Sequence, residues 1–150
     1  MAVCEIIPNL WLGDIRIAKN KIFFDDNDIN IVINCSKNIP FYSNYTTNIR
    51  ISVDDNLQPE EIKKLYLYLD KACDLINEKL LDNRKILVHC YAGKQRSASV
   101  IVSYLMKYSN MSLQESIDAV KSKRKIIFTP GINFLDSLIK FEKKVNTGKE

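Results

Sequence analysis

The most informative stretch of this chain is Ile86-Leu87-Val88-His89-Cys90-Tyr91-Ala92-Gly93-Lys94-Gln95-Arg96-Ser97. Its short apolar start is typical of a buried strand, and the strand leads directly to a histidine and a cysteine. Arg96 follows Cys90 by six residues, at the predicted start of a helix. The pattern predicts a thiolate nucleophile in an anion-binding loop, residues 90–95, called below the cysteine loop.

The cysteine loop contains the residue types that a thiolate and a bound anion both require. Backbone N–H groups in a turn that leads into a helix can point at one anion, and the positive end of the helix dipole favours negative charge there. The guanidinium of Arg96 adds to this preference for the thiolate form of Cys90. Arg96 can also bind two phosphate oxygens at once, and Gly93 lets the backbone approach the ligand without a Cβ.

Size and composition indicate one ordinary globular domain over residues 1–150, with 46% hydrophobic and 27% charged residues. The net charge of +4 favours anionic partners only weakly. No apolar run approaches the ~18–20 residues that span a bilayer, and we expect no signal peptide, membrane anchor or lipid anchor. A cytoplasmic location, with a nuclear one also compatible, is the expectation. The single histidine and the absence of CxxC spacing predict no metal site, and no cofactor is expected.

Strands alternate with helices along the chain, which predicts an α/β fold with a central, mostly parallel mixed sheet flanked by helices. The cysteine loop should lie between a central strand and a helix N-terminus. The predicted strands are 6–12, 31–35, 49–53 and 85–89, and the predicted helices are 59 to about 80–83, 97–107, 112 to about 122, and 133–144.

The nonapeptide HCYAGKQRS resembles the HCxxGxxRS signature of the protein tyrosine phosphatase superfamily, and the chain resembles the dual-specificity branch nearly throughout. Residues 7–13 are similar to that branch's opening strand, 33–36 to one of its strand ends, and 103–106 to the helix after its loop. The chain is also short, whereas tyrosine-specific relatives carry additional residues that deepen the pocket. The resemblance therefore implies a shallow pocket that admits phosphotyrosine and phosphoserine/threonine of phosphoprotein substrates.

The resemblance also implies a role for each matching residue. Cys90 would form a cysteinyl-phosphate intermediate, and Arg96 would bind phosphate and stabilise the transition state. Ser97 would hydrogen-bond the sulfur and help it leave, while His89 would order the loop. Residues 51–56 resemble the segment that carries the general acid, which implies Asp55, with Asp54 as the alternative. The residues expected to form the phosphate-binding loop are Tyr91, Ala92, Gly93, Lys94, Gln95 and Arg96.

Three positions depart from the family pattern. Gln95 stands where dual-specificity members usually carry serine, and Gly131 stands where they carry an asparagine that supports the phosphate loop. Asn133 is the candidate to replace that asparagine. Lys94 directly follows the loop glycine, where a basic residue also occurs in some lipid phosphatases.

These departures leave the class of substrate less well determined by the sequence than the type of reaction. A phosphoinositide or an RNA 5′-phosphate is the alternative substrate, served by Lys94 and by the basic residues Lys121, Lys123, Arg124 and Lys125. Nucleic acid is the less expected of the two, because RNA-directed relatives usually have threonine at the position of Ser97. A non-catalytic phosphate-binding module is disfavoured, since binding alone requires neither a nucleophile nor an acid.

Overall fold

A five-stranded mixed sheet forms the centre of the computed structural model, which describes residues 1–148. The predicted domain end at residue 150 lies outside the described residues. The sheet order is β1-β2-β5-β3-β4, with β1 antiparallel to β2 and every other pair parallel. The elements are β1 Val3–Ile7, β2 Leu10–Gly13, α1 Ile15–Ala18, α2 Lys21–Asp26, β3 Ile31–Asn34, β4 Thr47–Arg50, α3 Pro59–Leu81, β5 Ile86–His89, α4 Arg96–Tyr108, α5 Leu113–Lys123 and α6 Leu135–Thr147.

Strand β5 occupies the centre of the sheet, and apolar side chains cover both of its faces. Ile86 and Val88 belong to the larger core with the residues of α3 to α6, whereas Leu87 points into a smaller core on the opposite face. This alternation is what a strand imposes on successive side chains, and burial on both faces explains the continuous apolar run. The predicted α/β architecture and the central position of β5 are confirmed.

The predicted first strand, residues 6–12, is wrong, because a turn interrupts it. The chain forms a hairpin in which β1 and β2 pair antiparallel around Pro8 and Asn9. Asn9 has a φ of 72°, a left-handed conformation that asparagine tolerates better than most residues, and its N–H donates to Glu5 Oε2 at 3.1 Å. The hairpin matters for the site because it delivers Gly13 beside the end of β5.

The predicted strand over residues 49–53 is displaced to Thr47–Arg50. Its neighbour β3 ends at Asn34, and Asn34 O accepts one more hydrogen bond, from the N–H of Ile51 at 2.9 Å. Beyond that point the chain has no strand to pair with and crosses above the carboxyl end of the sheet. The segment after β4 therefore brings Asp54 and Asp55 toward the cysteine loop.

The four predicted helices are present, with bounds that differ by a few residues. Ser112 and Glu115 form a capping box at the start of α5, with both of its hydrogen bonds present. Helix α6 starts at Leu135 rather than at Asn133. The short helices α1 and α2 were not predicted. Every helix among the described residues is too short or too polar to traverse a bilayer.

Candidate active site

The cysteine loop lies at the carboxyl end of β5 and runs into the N-terminus of α4. Cys90 is almost fully buried at the start of the loop and lines a cavity there. Gly93 adopts a φ of 65°, and a Cβ there would lie 2.6 Å from Gly13 O. Both the positive φ and the contact with β2 therefore require glycine.

The side chains of Cys90 and Ser97, which are expected to interact, are in contact in the structure. Cys90 Sγ lies 3.0 Å from Ser97 Oγ, and Ser97 is fully buried in the first turn of α4. A buried hydroxyl at this distance can donate to a sulfur that carries negative charge. The predicted contact between Ser97 and the sulfur of Cys90 is present.

The Arg96 side chain makes a hydrogen bond to the main chain and also has a buried donor with no partner among the described residues. Its Nη1 donates to Val53 O at 2.9 Å, which orients the guanidinium between the cysteine loop and the 51–58 segment. Its Nε is buried and has no hydrogen-bond partner among the described residues. A buried guanidinium donor is costly to leave unpaired, so this group is suited to an anion bound in the loop.

His89 supports the loop from below, at 1% exposure. Its Nδ1 lies 3.3 Å from Cys90 O, and its own carbonyl accepts the N–H of Cys35 at 2.7 Å. Burial lowers the pKa of His89 to about 4, so the ring is neutral at physiological pH. These contacts agree with a loop-ordering residue and do not suit a base that exchanges protons with solvent.

A neighbouring thiol, Cys35, is fully buried one residue beyond β3. Burial raises the pKa of Cys35 well above its usual range, so the thiol stays protonated. Cys73 on α3 is equally buried, and burial raises its pKa in the same way. Both belong to the larger core.

Arg124 lies close to the cysteine loop, in a position that differs from the one the sequence predicts. The sequence offered it as a surface cation for a polyanion, but it is 2% exposed and its side chain turns inward. Its Nε donates to Gly93 O at 2.9 Å, its Nη2 to Ala92 O at 3.3 Å and its Nη1 to Met1 O at 2.7 Å. The guanidinium thus satisfies the carbonyls of the cysteine loop from behind, and the prediction of a polyanion-binding role for Arg124 is wrong.

The two candidate acids face different surroundings. Asp55 is exposed and lines the same cavity as Cys90, and its Oδ1 accepts a hydrogen bond from Asn133 Nδ2 at 2.8 Å. The side chain of Asp54 instead lies 3.5 Å from Lys37 Nζ, in an adjacent depression. The geometry favours Asp55 as the carboxyl group that can reach a ligand above the sulfur.

Gln95 and Asn133 form contacts that the sequence alone did not reveal. Gln95 is buried, its Nε2 donates to Gly131 O at 2.7 Å, and its Oε1 accepts the N–H of Asn133 at 3.0 Å. Asn133 therefore joins the cysteine loop through its main chain, while its side chain reaches Asp55. The departures at positions 95 and 131 are therefore linked in space, and Asn133 joins them, a grouping that sequence spacing could not predict.

The cavity above Cys90 has a volume of about 370 Å³. Among the described residues, no group of three or more His, Cys, Asp and Glu side chains is arranged to hold a metal ion. The lining residues are Asp55, Cys90, Tyr91, Ala92, Lys94, Gln95, Arg96, Thr129 and Asn133. Of the predicted loop residues, Tyr91, Ala92, Lys94, Gln95 and Arg96 line the cavity, while Gly93 is buried against β2 and Arg124.

A buried cysteine at the base of a loop between a central strand and a helix, with a paired serine and an arginine donor, defines a cysteine-based phosphatase architecture. The chain belongs to the family described as "Dual specificity phosphatase, catalytic domain", whose sequence profile matches residues 10–144. The family resemblance predicted from the sequence is confirmed.

Individual relatives agree with this assignment. Human dual specificity protein phosphatase 16 is 38% identical over 143 residues, covering 94% of this chain and 21% of its own. The putative tyrosine phosphatase 123R of Invertebrate iridescent virus 6 is 35% identical over 148 residues, covering 98% of this chain and 96% of its own. This chain thus spans about a fifth of the human relative and nearly all of the viral one. The crystal structure of a human DUSP28 variant matches with a TM-score of 0.88 at 25% identity and covers 99% of each chain.

Proposed function

We propose that this chain hydrolyses phosphate esters of protein tyrosine, serine and threonine residues through a cysteinyl-phosphate intermediate. The observation that carries the proposal is that Cys90 Sγ lies 3.0 Å from Ser97 Oγ at a cavity that Asp55 also lines. Membership of a family whose relatives include named dual specificity protein phosphatases supports this activity.

The first step transfers the phosphoryl group to sulfur. The thiolate of Cys90 attacks phosphorus, and the bond between phosphorus and the ester oxygen breaks. Asp55, in its protonated form, donates its proton to the departing oxygen. Arg96 holds non-bridging oxygens as charge redistributes, and its unpaired Nε is the donor that supports this role.

The second step returns the enzyme to its starting state. A water molecule attacks phosphorus, the sulfur–phosphorus bond breaks, and the proton of the water passes to the Asp55 carboxylate. The sulfur leaves as a thiolate, which the hydroxyl of Ser97 stabilises by a hydrogen bond. Inorganic phosphate is the product, and no electrons are exchanged with another molecule.

The exposure of residues around the cavity supports protein side chains of different length as substrates. Tyr91 at the rim is 64% exposed, and Asp55 is exposed as well.

A phosphoinositide is the second candidate substrate, because Lys94 lines the cavity and can contact an additional phosphate. The burial of Arg124 removes one cation from that alternative. Turnover of phosphopeptides, phosphoinositides and RNA 5′-triphosphate, measured side by side, separates the classes. A cytoplasmic or nuclear location stays a prediction from the sequence.

The test of the mechanism is the hydrolysis of an aryl phosphate in the presence of a chelator. We expect activity in the unmodified protein, none in Cys90→Ser, and near-normal activity in Cys73→Ala, which alters a buried thiol on α3. An active Cys90→Ser variant, or a strict requirement for added metal, would falsify the proposal.

The identity of the acid is tested by a pair of adjacent variants. Asp55→Ala should lower kcat by roughly a hundredfold, the usual worth of a positioned proton donor. Asp54→Ala, whose carboxylate faces Lys37, should lower it far less. The reverse order would assign the acid to Asp54.

A further inference from the structure

Asp55 lies where regular structure offers it no support. The segment between β4 and α3 contains no helix or strand, and the Asp55 side chain is exposed. An exposed carboxyl group on such a segment samples several rotamers unless another side chain holds it. The hydrogen bond from Asn133 Nδ2 to Asp55 Oδ1, at 2.8 Å, is a contact of that kind, made from a residue 78 positions further along the chain.

Asn133 is itself held in place from the cysteine loop. The buried amide of Gln95 makes two hydrogen bonds to one segment, donating to Gly131 O at 2.7 Å and accepting from the N–H of Asn133 at 3.0 Å. Bonds to two main-chain positions two residues apart fix both the distance and the orientation of that segment. Phe134, which follows directly, is 1% exposed and anchors the segment in the core.

We propose that Asn133 is a positioning residue for the general acid, and that Gln95 holds Asn133 in register with the nucleophile. The inference rests on the proposed function, because it assigns a task to Asp55 in that reaction. The chain of contacts runs from the cysteine loop through Gln95 and Asn133 to Asp55. It therefore sets the position of the proton donor relative to Cys90 from within the loop that holds the phosphate.

The geometry also selects which oxygen of Asp55 carries the proton. The amide of Asn133 donates to Oδ1, and the carbonyl oxygen of a carboxylic acid accepts such a bond better than the hydroxyl oxygen does. The proton of the acid form therefore resides on Oδ2, which is left to reach the departing oxygen. Serine at position 95, the residue usual in the family, has a side chain too short to make both contacts of Gln95. Asparagine at position 133 and glutamine at position 95 thus act as a pair in this chain.

The first test compares leaving groups in Asn133→Ala. The variant should lose roughly tenfold in kcat on an alkyl phosphate, which needs protonation, and less than twofold on an activated aryl phosphate, which does not. Asp136→Ala, an exposed change three residues away, should leave the ratio of the two rates unchanged. An equal loss on both substrates would indicate a purely structural role and overturn the proposal.

The second test is a double-variant cycle. Because Asn133 acts through Asp55, Asn133→Ala should add less than twofold to the loss already caused by Asp55→Asn. Independent, multiplicative losses would overturn the proposal. Gln95→Ser should reproduce the leaving-group pattern of Asn133→Ala, and an unchanged ratio would refute the assignment of Gln95. The proposed function fails separately, through an active Cys90→Ser variant.

Discussion

Arg124 illustrates how little a residue's type says about its position. It lies in the basic run Lys121-Ser122-Lys123-Arg124-Lys125, and the run as a whole has the composition of a solvated surface. The helix places Arg124 at the end of α5, where the side chain turns under the cysteine loop. A planar guanidinium can serve several carbonyls in different directions at once, which lysine's single ammonium does less well.

Removal of this side chain should destabilise the protein and the loop together. Arg124→Met retains much of the volume but leaves the buried Gly93 O and two part-buried carbonyls without this donor, so we expect the free energy of unfolding to fall by about 3 kcal/mol. Activity should fall too, since Gly93 O and Ala92 O lose their partner. Denaturant unfolding and kcat/KM measure the two effects.

The matched control is Lys123→Met, an exposed change one residue away. It should alter stability by no more than about 0.5 kcal/mol and leave kcat/KM unchanged. Equal stability of the two variants would mean that the Arg124 contacts contribute nothing net.

At the scale of elements, the first turn of α3 contacts the segment that carries Asp54 and Asp55, residues 51–58, called below the acid segment. Glu61 Oε1 accepts the N–H of Asp54 at 2.8 Å and also lies 2.9 Å from Lys37 Nζ. The hydrogen bond from Asp54 and the ammonium of Lys37 lower the pKa of Glu61 to about 2. Glu61 is therefore ionised at neutral pH. Its carboxylate connects the first turn of α3 to Asp54, the neighbour of Asp55.

Loss of the hydrogen bond between Asp54 and Glu61 should affect proton donation more than phosphate binding. Glu61→Ala should reduce kcat on an alkyl phosphate by about tenfold, the worth of one hydrogen bond to a charged group, with little change on an activated aryl phosphate. Glu60→Ala changes an exposed carboxylate in the same turn and should alter neither rate. Identical kinetics for the two variants would show that the acid segment does not depend on α3.

The sequence predicts the long elements well and the short ones poorly. Helices α3 and α4 repeat their apolar side chains over several turns, and β5 is a continuous apolar run, so periodicity finds them. Helices α1 and α2 have four and six residues, too few for a period to emerge. The capping side chains of Asp14 and Asn20 are the one local signal that could have indicated them.

The residues of the candidate site show the same difference between local and long-range contacts. One motif of eight consecutive residues contains Cys90, Arg96 and Ser97. Their proximity in space can therefore be predicted from the local sequence. The contacts of Arg124 with the cysteine loop and of Asn133 with Asp55 join residues far apart in sequence. Such pairs depend on how the helices pack on the sheet, and a single sequence carries no signal for them.

At the scale of the whole molecule, acid sensitivity should follow the burial of His89. Because its folded pKa, about 4, lies below the ordinary value of 6.5, the unfolded chain binds more protons between these limits. Stability is therefore intact above pH 6.5 and falls as the pH drops toward 4. The loss should reach about 2 kcal/mol between pH 6.5 and about pH 5. The contribution of Glu61 is present above pH 4.5 and is lost below it, as the pH approaches 2.

His89→Gln isolates this effect, because His89 is the one histidine in the chain. The variant should be less stable at neutral pH, having lost the contact to Cys90 O, but its stability should change little between pH 6.5 and about pH 5. Denaturant unfolding at several pH values gives both slopes. Parallel slopes for the variant and the unmodified protein would assign the acid sensitivity to other groups.

The guanidinium of Arg124 binds the carbonyl of Met1 as well as those of Ala92 and Gly93. The beginning of the chain and the anion site thus share one set of donors, and their free energies are linked. An anion that orders the cysteine loop also favours the docked state of the leading strand, and by reciprocity a force that detaches that strand weakens anion affinity. We therefore expect changes at the first residues to alter anion affinity, although none of these residues lines the cavity above Cys90.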